Sequence, residues 1–177
     1  MKPQSEQLTM NHDVVRLINY TDLTPEDSQR VLAMRNHPEI KKWMYHPQDI
    51  SESEHRTFIE TLKNTTNKVY FLVKREKTVI GTVNLTQIDD AEHSAELGLY
   101  ANPFVLLPGR GQILLQAVAR YAFNERGLEY LMLDVYSDNQ RAIRSYEKQG
   151  FKKMSLKTVN GIKVLSMKKT HPKPESV

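Results

Sequence analysis

The sequence predicts a single α/β (α+β) domain with about seven strands and about four helices, and three observations lead there. From Lys68 to Ala101, three segments rich in β-branched and aromatic residues (Val69 to Val73, Thr78 to Thr86, Ser94 to Ala101) follow one another across polar turns. That is the pattern of an antiparallel meander. Between Gly109 and Arg126 the period changes: Ile113, Leu114, Ala117, Val118, Tyr121 and Ala122 recur at helical spacing, and Gly127 stands where a left-handed cap ends a helix. A further strand, Tyr130 to Tyr136, returns after it, so strand and helix alternate through the second half of the chain.

The remaining elements follow in chain order. Residues 1–12 read as a loose arm and Val14 to Ile18 as the first strand. Thr24-Pro25-Glu26-Asp27 opens a helix with a capping hydroxyl, a proline in first position and acids in the first turn. Asn36-His37-Pro38 stops it, because the residue before a proline is pushed out of the helical region. Lys41 to Pro47 reads as a short helix or loop loaded with large side chains, and Ser51 to Glu54 as the start of a helix carrying His55, Phe58, Ile59 and Leu62 on one side. In the strand from Thr78, alternation puts Val79, Gly81, Val83 and Leu85 on a common face. Asn139 to Gln149 is a helix, and Phe151 to Leu156 pairs with Ile162 to Met167 around Asn160-Gly161. The domain runs over 1–168, and 169–177, with two prolines and several charges, reads as a disordered tail.

Composition narrows the function. The 177 residues suit one core, and no apolar run approaches the length that spans a membrane. The N-terminus carries no apolar signal segment, which points to the cytoplasm. With no cysteine, disulfides, thiolate metal sites and a covalent acyl-cysteine route are closed, and the six histidines have no metal-ligand spacing. A net charge of +4 fits an enzyme for anionic small molecules better than a nucleic-acid binder, since no aromatic-studded basic stripe accompanies it.

Two stretches carry chemistry. Pro108-Gly109-Arg110-Gly111-Gln112 sets two glycines at the mouth of the long helix, so unpaired backbone N–H groups and the positive helix end can face a phosphate with no side chain in the way. In the helix after Ser137, Asn139, Ala142, Ile143 and Tyr146 fall at offsets of three, four and seven, which brings an amide and a phenol to one face.

In that order, joined by a strand, the Gly-x-Gly helix start and the pattern Asn-x-x-Ala-x-x-x-Tyr-x-x-x-Gly-Phe from Asn139 to Phe151 resemble the acetyl-CoA-binding half of the GNAT N-acetyltransferases. The resemblance implies a mixed sheet whose two central parallel strands splay apart, with acetyl-CoA as donor. The pantetheine arm would complete the ladder along Leu97 to Ala101, with Leu99, Ala101, Gly109, Arg110, Gly111, Gln112, Asn139 and Tyr146 on the cofactor. A main-chain N–H near Leu99 or Tyr100 would polarise the thioester. Tyr146 is the candidate acid for the departing thiolate. Glu96, a few residues before the edge, is the candidate base for the amine, acting directly or through water; it also fits a solvated outward residue. One departure stands out: the cradle usually begins with Gln or Arg three residues before the first glycine, where this chain has Leu106.

The first half is similar to the GNAT enzymes of bacterial pseudaminic acid synthesis, in Arg35-Asn36-His37-Pro38, Trp43-Met44-Tyr45, His55-x-x-Phe58-Ile59 and Tyr70 to Val73, with Glu96-x-Gly98-Leu99-Tyr100 beyond. Those enzymes acetylate the 4-amino group of UDP-4-amino-4,6-dideoxy-N-acetyl-β-L-altrosamine, on the route to a sugar placed on flagellin. By that likeness Met44, Tyr45 and Phe58 would hold the uracil and sugar methyl, Arg35 or His55 the diphosphate, and Tyr100 the acceptor. Trp43, Met44 and Phe58 also suit a core. The implied partners are acetyl-CoA and a UDP-amino-sugar, with no metal, no nucleic acid, no membrane, and homodimerisation left open. The alternatives are a GNAT enzyme for another primary amine (a protein N-terminus, a polyamine, an aminoglycoside) and a module that binds acetyl-CoA without turnover.

Overall fold

The computed structural model describes residues 3–10 and 13–172. Within the predicted loose arm lies a strand, β1 (Glu6–Met10), paired antiparallel with β2 (Asp13–Asn19) so that Leu8 meets Val15. Both are buried. Two apolar side chains in five residues give too short an alternation to read, and the partner strand supplies what local pattern does not.

A 3-10 turn at Tyr20–Asp22 leads into α1 (Pro25–Asn36), where the Thr24 hydroxyl accepts from Asp27 N–H at 3.2 Å. The expected helix or loop near Lys41 resolves as a one-turn α2 (Pro38–Lys41), one step earlier, because His37 caps it and Pro38 pre-sets its first position. The chain then turns through 42–46. In α3 (Glu52–Leu62), Ser51 and Glu54 cap one another reciprocally, at 3.1 and 2.7 Å. The meander is β3 (Val69–Arg75), β4 (Thr78–Asp89) and β5 (Ser94–Ala101). α4 (Arg110–Arg120) continues as a π-helical turn, Tyr121–Glu125, that closes at Gly127 with φ 66°. After it come β6 (Tyr130–Tyr136), α5 (Gln140–Lys148), β7 (Lys152–Val159) and β8 (Ile162–Thr170). Lys169 and Thr170, assigned to the tail by the sequence, end β8, and 173–177 lie outside the described residues.

The eight strands form one sheet in the order β1-β2-β3-β4-β5-β6-β8-β7, with β5 and β6 parallel and every other pair antiparallel. Its two faces carry separate clusters. α4 and α5 cover one over a large core including Phe71, Ile80, Val83, Leu85, Leu114, Val118, Tyr121 and Leu131. Phe71 and Tyr121 meet there edge to face at 4.8 Å, worth about 0.5–1.5 kcal/mol beyond their buried area. On the other face Tyr20, Val31, Met34, Leu62, Leu72 and Val79 form a smaller cluster under α1 and α3. Val79 therefore does not share a face with Val83 and Leu85. The register slips between Val73↔Gly81 and Lys74↔Val79, and Ile80, the extra residue of this bulge, goes into the main core instead.

α3 is locked onto α1 by His55, which is buried with its Nε2 3.1 Å from both the hydroxyl and the carbonyl oxygen of Ser28. Burial lowers its pKa, partly offset by the Ser28 backbone hydrogen bond. The folded state thus holds the imidazole neutral, while the unfolded chain takes up a proton as pH falls through about 6.5. Stability contributed by neutral His55 is present above that pH and is lost as pH drops towards the lowered folded value. Melting temperature should accordingly fall between pH 7.5 and 5.5, and in His55→Gln this slope should flatten while the neutral-pH midpoint moves less.

Candidate active site

The sheet opens at its centre. β5 and β6 pair at only three positions, Ser94↔Tyr130, Ala95↔Leu131 and Glu96↔Met132, although β5 runs on to Ala101 and β6 to Tyr136. β4 accompanies β5 to Ala101, and β8 accompanies β6 to Tyr136. Past Glu96 each central strand has its outer neighbour and lacks the inner one. A wedge results, with backbone groups along both lips.

On the α4 side the wedge meets the glycine cradle. Gly109 caps α4 in the left-handed conformation, φ 77°, and no side chain bonds to the helix start. The first N–H to close a turn is Ile113, to the Gly109 carbonyl at 3.0 Å, so those of Arg110, Gly111 and Gln112 stay unpaired within the helix. Gly111 is the second residue of α4, and glycine in a helix costs up to about 1 kcal/mol relative to alanine. A Cβ there, or at Gly109, would meet nothing within 4 Å. The fold itself does not require a bare backbone at 111. Arg110 points elsewhere than expected: its Nη1 donates to the carbonyls of Asn102 and Val105, which ties down the loop before the helix. Gln112 is exposed, and so, at 96%, is Leu106.

α5 brings Tyr146 to the same side. Asn139 caps this helix, its Oδ1 accepting from Ala142 N–H at 3.3 Å. Ala142, Ile143 and Tyr146 pack on the main core, as do Leu99 and Ala101 from the unpaired end of β5. The Tyr146 ring lies 5.9 Å from that of Phe151, and burial pushes its pKa up to about 12. Its hydroxyl is therefore protonated at neutral pH, and it has no hydrogen-bond partner among the described residues.

The opposite side of the wedge has another character. Strand alternation turns Leu131, Leu133 and Val135 into the core, and Met132, Asp134 and Tyr136 outward beside Glu96. The 43–45 loop closes over the end of this row: the Tyr136 hydroxyl donates to the Met44 carbonyl at 3.1 Å, with the Trp43 and Tyr45 rings 6.0 and 5.9 Å from the Tyr136 ring. Arg35 donates through Nη2 to the His46 carbonyl at 2.7 Å, while its Nη1 is buried without a partner. Tyr100 carries a pKa raised by burial, against which hydrogen bonds to Thr82 and Tyr20 and the Arg35 charge pull it down.

Not all expected residues gather here. His55 is held by Ser28, as above, so its Nε2 is committed inside the fold, not to a diphosphate. Phe58 sets its ring edge-on to Tyr70 at 5.0 Å within the α1/α3 cluster, which makes it a packing residue. Asp134, on the outward row of β6, has partners on the two strands beyond it. The structure joins it to Lys157 and Ser166, two strands that lie far off in sequence.

The acetyltransferase (GNAT) domain family matches residues 18–152. The chain belongs to that family. The acetyltransferase PseH of Campylobacter jejuni strain 81-176 is 33% identical over 138 residues, 78% of this chain and 85% of its own. The crystal structure of C. jejuni N-acetyltransferase PseH in complex with acetyl coenzyme A superposes with a TM-score of 0.70 at 25% identity, covering 89% of this chain and 99% of that one. The spermidine N-acetyltransferase of Vibrio cholerae, with CoA and spermine, reaches 0.78 at 22% identity over 88% of this chain and 95% of its own, a likeness of fold. This chain is an acetyltransferase that uses acetyl-CoA. No described helix is long and apolar enough to cross a membrane, and no described group of His, Asp or Glu could hold a metal ion.

Because a Cβ at 111 meets only open space, Gly111→Ala separates folding from binding. Its unfolding free energy should rise by up to about 1 kcal/mol, seen as a higher denaturation midpoint, while KM for acetyl-CoA rises several-fold.

Proposed function

We propose that the protein transfers the acetyl group of acetyl-CoA to the 4-amino group of UDP-4-amino-4,6-dideoxy-N-acetyl-β-L-altrosamine, the step of pseudaminic acid synthesis to which the sequence resemblance points. The observation that carries this reading is the buried, unpaired Nη1 of Arg35 beside Tyr100. A guanidinium nitrogen shut away from water without a partner costs free energy, and an anionic group of the ligand, such as a diphosphate, would satisfy it. Of the carboxylates, Glu96 on β5 stands at the closed end of the wedge and Asp134 on its β6 lip. A cleft with one cationic wall and one acidic wall suits an acceptor that is anionic at its nucleotide and cationic at its amine. Met44, Tyr45 and Tyr100 supply apolar surface between them, and the relatedness to PseH supports the same class of substrate.

In this reading donor and acceptor enter from opposite faces. The diphosphate of acetyl-CoA sits on the N–H groups of Arg110, Gly111 and Gln112 at the positive end of α4, with Asn139 nearby, and the pantetheine lies along Leu99 and Ala101. A main-chain N–H on the open lip of β5 polarises the thioester carbonyl, an interaction worth about 2.7–4 kcal/mol of barrier in preorganised oxyanion holes. The amine reaches the thioester through the wedge. Its nitrogen bonds the acetyl carbon as the C–S bond breaks; Glu96, half-buried at the last paired rung, receives the proton from nitrogen. The departing sulfur takes the phenolic proton of Tyr146, which its desolvated site keeps in place.

A thiol-release assay comparing the UDP-amino-sugar with spermidine and a peptide amine tests the assignment. Release with the sugar at the highest kcat/KM is expected, and turnover of spermidine alone would overturn it. Tyr146→Phe should lower kcat by about 10²–10⁴-fold with KM for acetyl-CoA nearly unchanged. Since this phenol stays protonated to about pH 12, it should add no alkaline limb to the rate profile below pH 10. Arg35→Met should raise the acceptor KM by at least about tenfold and leave that of acetyl-CoA as it was.

A further inference from the structure

Asp134 has an unusual setting for a residue on the open half of β6. Its Oδ1 accepts the Ser166 hydroxyl at 2.7 Å, from the neighbouring strand β8, and its Oδ2 meets the Lys157 ammonium at 2.6 Å, from β7. The Asp134 side chain is 24% exposed, and Ser166 is buried. Tyr45 closes the cluster from the 43–45 loop: its pKa is raised first by burial and then by the Asp134 charge. Lys157 in turn has its pKa raised by Asp134, Tyr45 and Glu96, against desolvation, so a single ammonium lies within the field of both carboxylates.

A carboxylate accepts about four hydrogen bonds. Ser166 and Lys157 take one on each oxygen, from β8 and β7, the strands on the side of β6 away from β5, and the Tyr45 hydroxyl of the 43–45 loop takes a third. One acceptor position remains, on a residue that follows Met132, the last of β6 paired with β5, and so stands on the open half of the strand. Glu96, directly opposite Met132 and on the same face, stands at the wedge's closed end. The two carboxylates and one lysine leave this wall with a net charge of −1, where a lone ion pair would leave none. A surface pair would gain little by being fixed from two strands at once; a carboxylate held for a ligand gains orientation.

We propose that Asp134 is the residue that binds the protonated amino group of the acceptor, and that Lys157 and Ser166 are positioning residues that hold its two oxygens so that a free lone pair faces the wedge. The proposal rests on the acetyl-transfer reading above. An ammonium donating to Asp134 is drawn to the mouth of the wedge beside Glu96; one proton passes to solvent there to give the neutral amine, and Glu96 takes the second as nitrogen bonds the acetyl carbon. Neutral alcohols of the same shape would leave this wall unsatisfied and would be rejected.

Steady-state kinetics of the full-length chain, read by thiol release with the UDP-amino-sugar and with spermidine, decide it. Asp134→Asn keeps the size and the acceptance from Ser166, so folding, checked by circular dichroism and melting, should hold. Its acceptor KM should rise about 10- to 100-fold while kcat changes less and KM for acetyl-CoA stays put. Lys157→Met should raise the acceptor KM more modestly, and Lys157→Arg should restore it, which loss of packing alone would not produce. Should the wild type acetylate only spermidine, the sugar assignment fails, yet the Asp134→Asn comparison is read equally on spermidine, whose ammonium makes the same demand. An acceptor KM unaltered in folded Asp134→Asn, on whichever of these amines turns over, overturns the proposal, and so does failure of Lys157→Arg to outperform Lys157→Met.

Discussion

The structure depends on a ladder that stops after three rungs. β5 and β6 are parallel, and parallel strands cannot be joined by a tight turn; the connection has to travel over a face of the sheet, here through α4. Past Glu96 and Met132 the two strands part, each still anchored by its outer neighbour. The lost pairing costs backbone hydrogen bonds in the middle of a sheet, where they are hardest to replace. A wedge of this kind persists because the main core, from Phe71 through Leu114 to Leu131, fixes both halves around it.

The two faces recognise by different means. On the α4 side, recognition rests on main chain: a left-handed Gly109, a bare Gly111 and uncapped N–H groups, with the Arg110 guanidinium turned back to stiffen the loop. In the proposed reading such a surface takes a diphosphate, as suits a donor shared by a whole family. On the α1/α3 side the proposed acceptor contacts are side chains, Arg35, Tyr45, Tyr100, Asp134 and Lys157, each supplied by a different element. Exchanging a few of these changes the acceptor without touching the donor machinery.

How much of this could be read from the residues differs by element. The caps at Thr24 and Ser51, the Asn160-Gly161 hairpin and the cradle helix are all local signals, and the structure has them where the sequence puts them. β1 was hidden because an edge strand of five residues takes its shape from its partner. Val79 misled because alternation assumes unbroken register, and the Ile80 bulge breaks it. His55 and Phe58 were expected at the ligand from the family likeness, and the structure sets them against Ser28 and Tyr70, partners from elsewhere in the chain that helix spacing does not reveal. Asp134 was invisible for a similar reason. Its meaning comes from the absence of β5 on one side and the arrival of Lys157 on the other, and neither is a property of its neighbours in sequence.

The outer margin of the sheet also bears on how the protein behaves in company. β7 is exposed along nearly its whole length, its register breaks at Met154, and Lys152, Lys153 and Lys157 punctuate it. A foreign strand laid along this border would meet a kink and three ammonium groups before it could form a continuous ladder. Charge and irregularity thus guard against runaway stacking on an otherwise unfinished edge, even with Met154 and Leu156 turned to water.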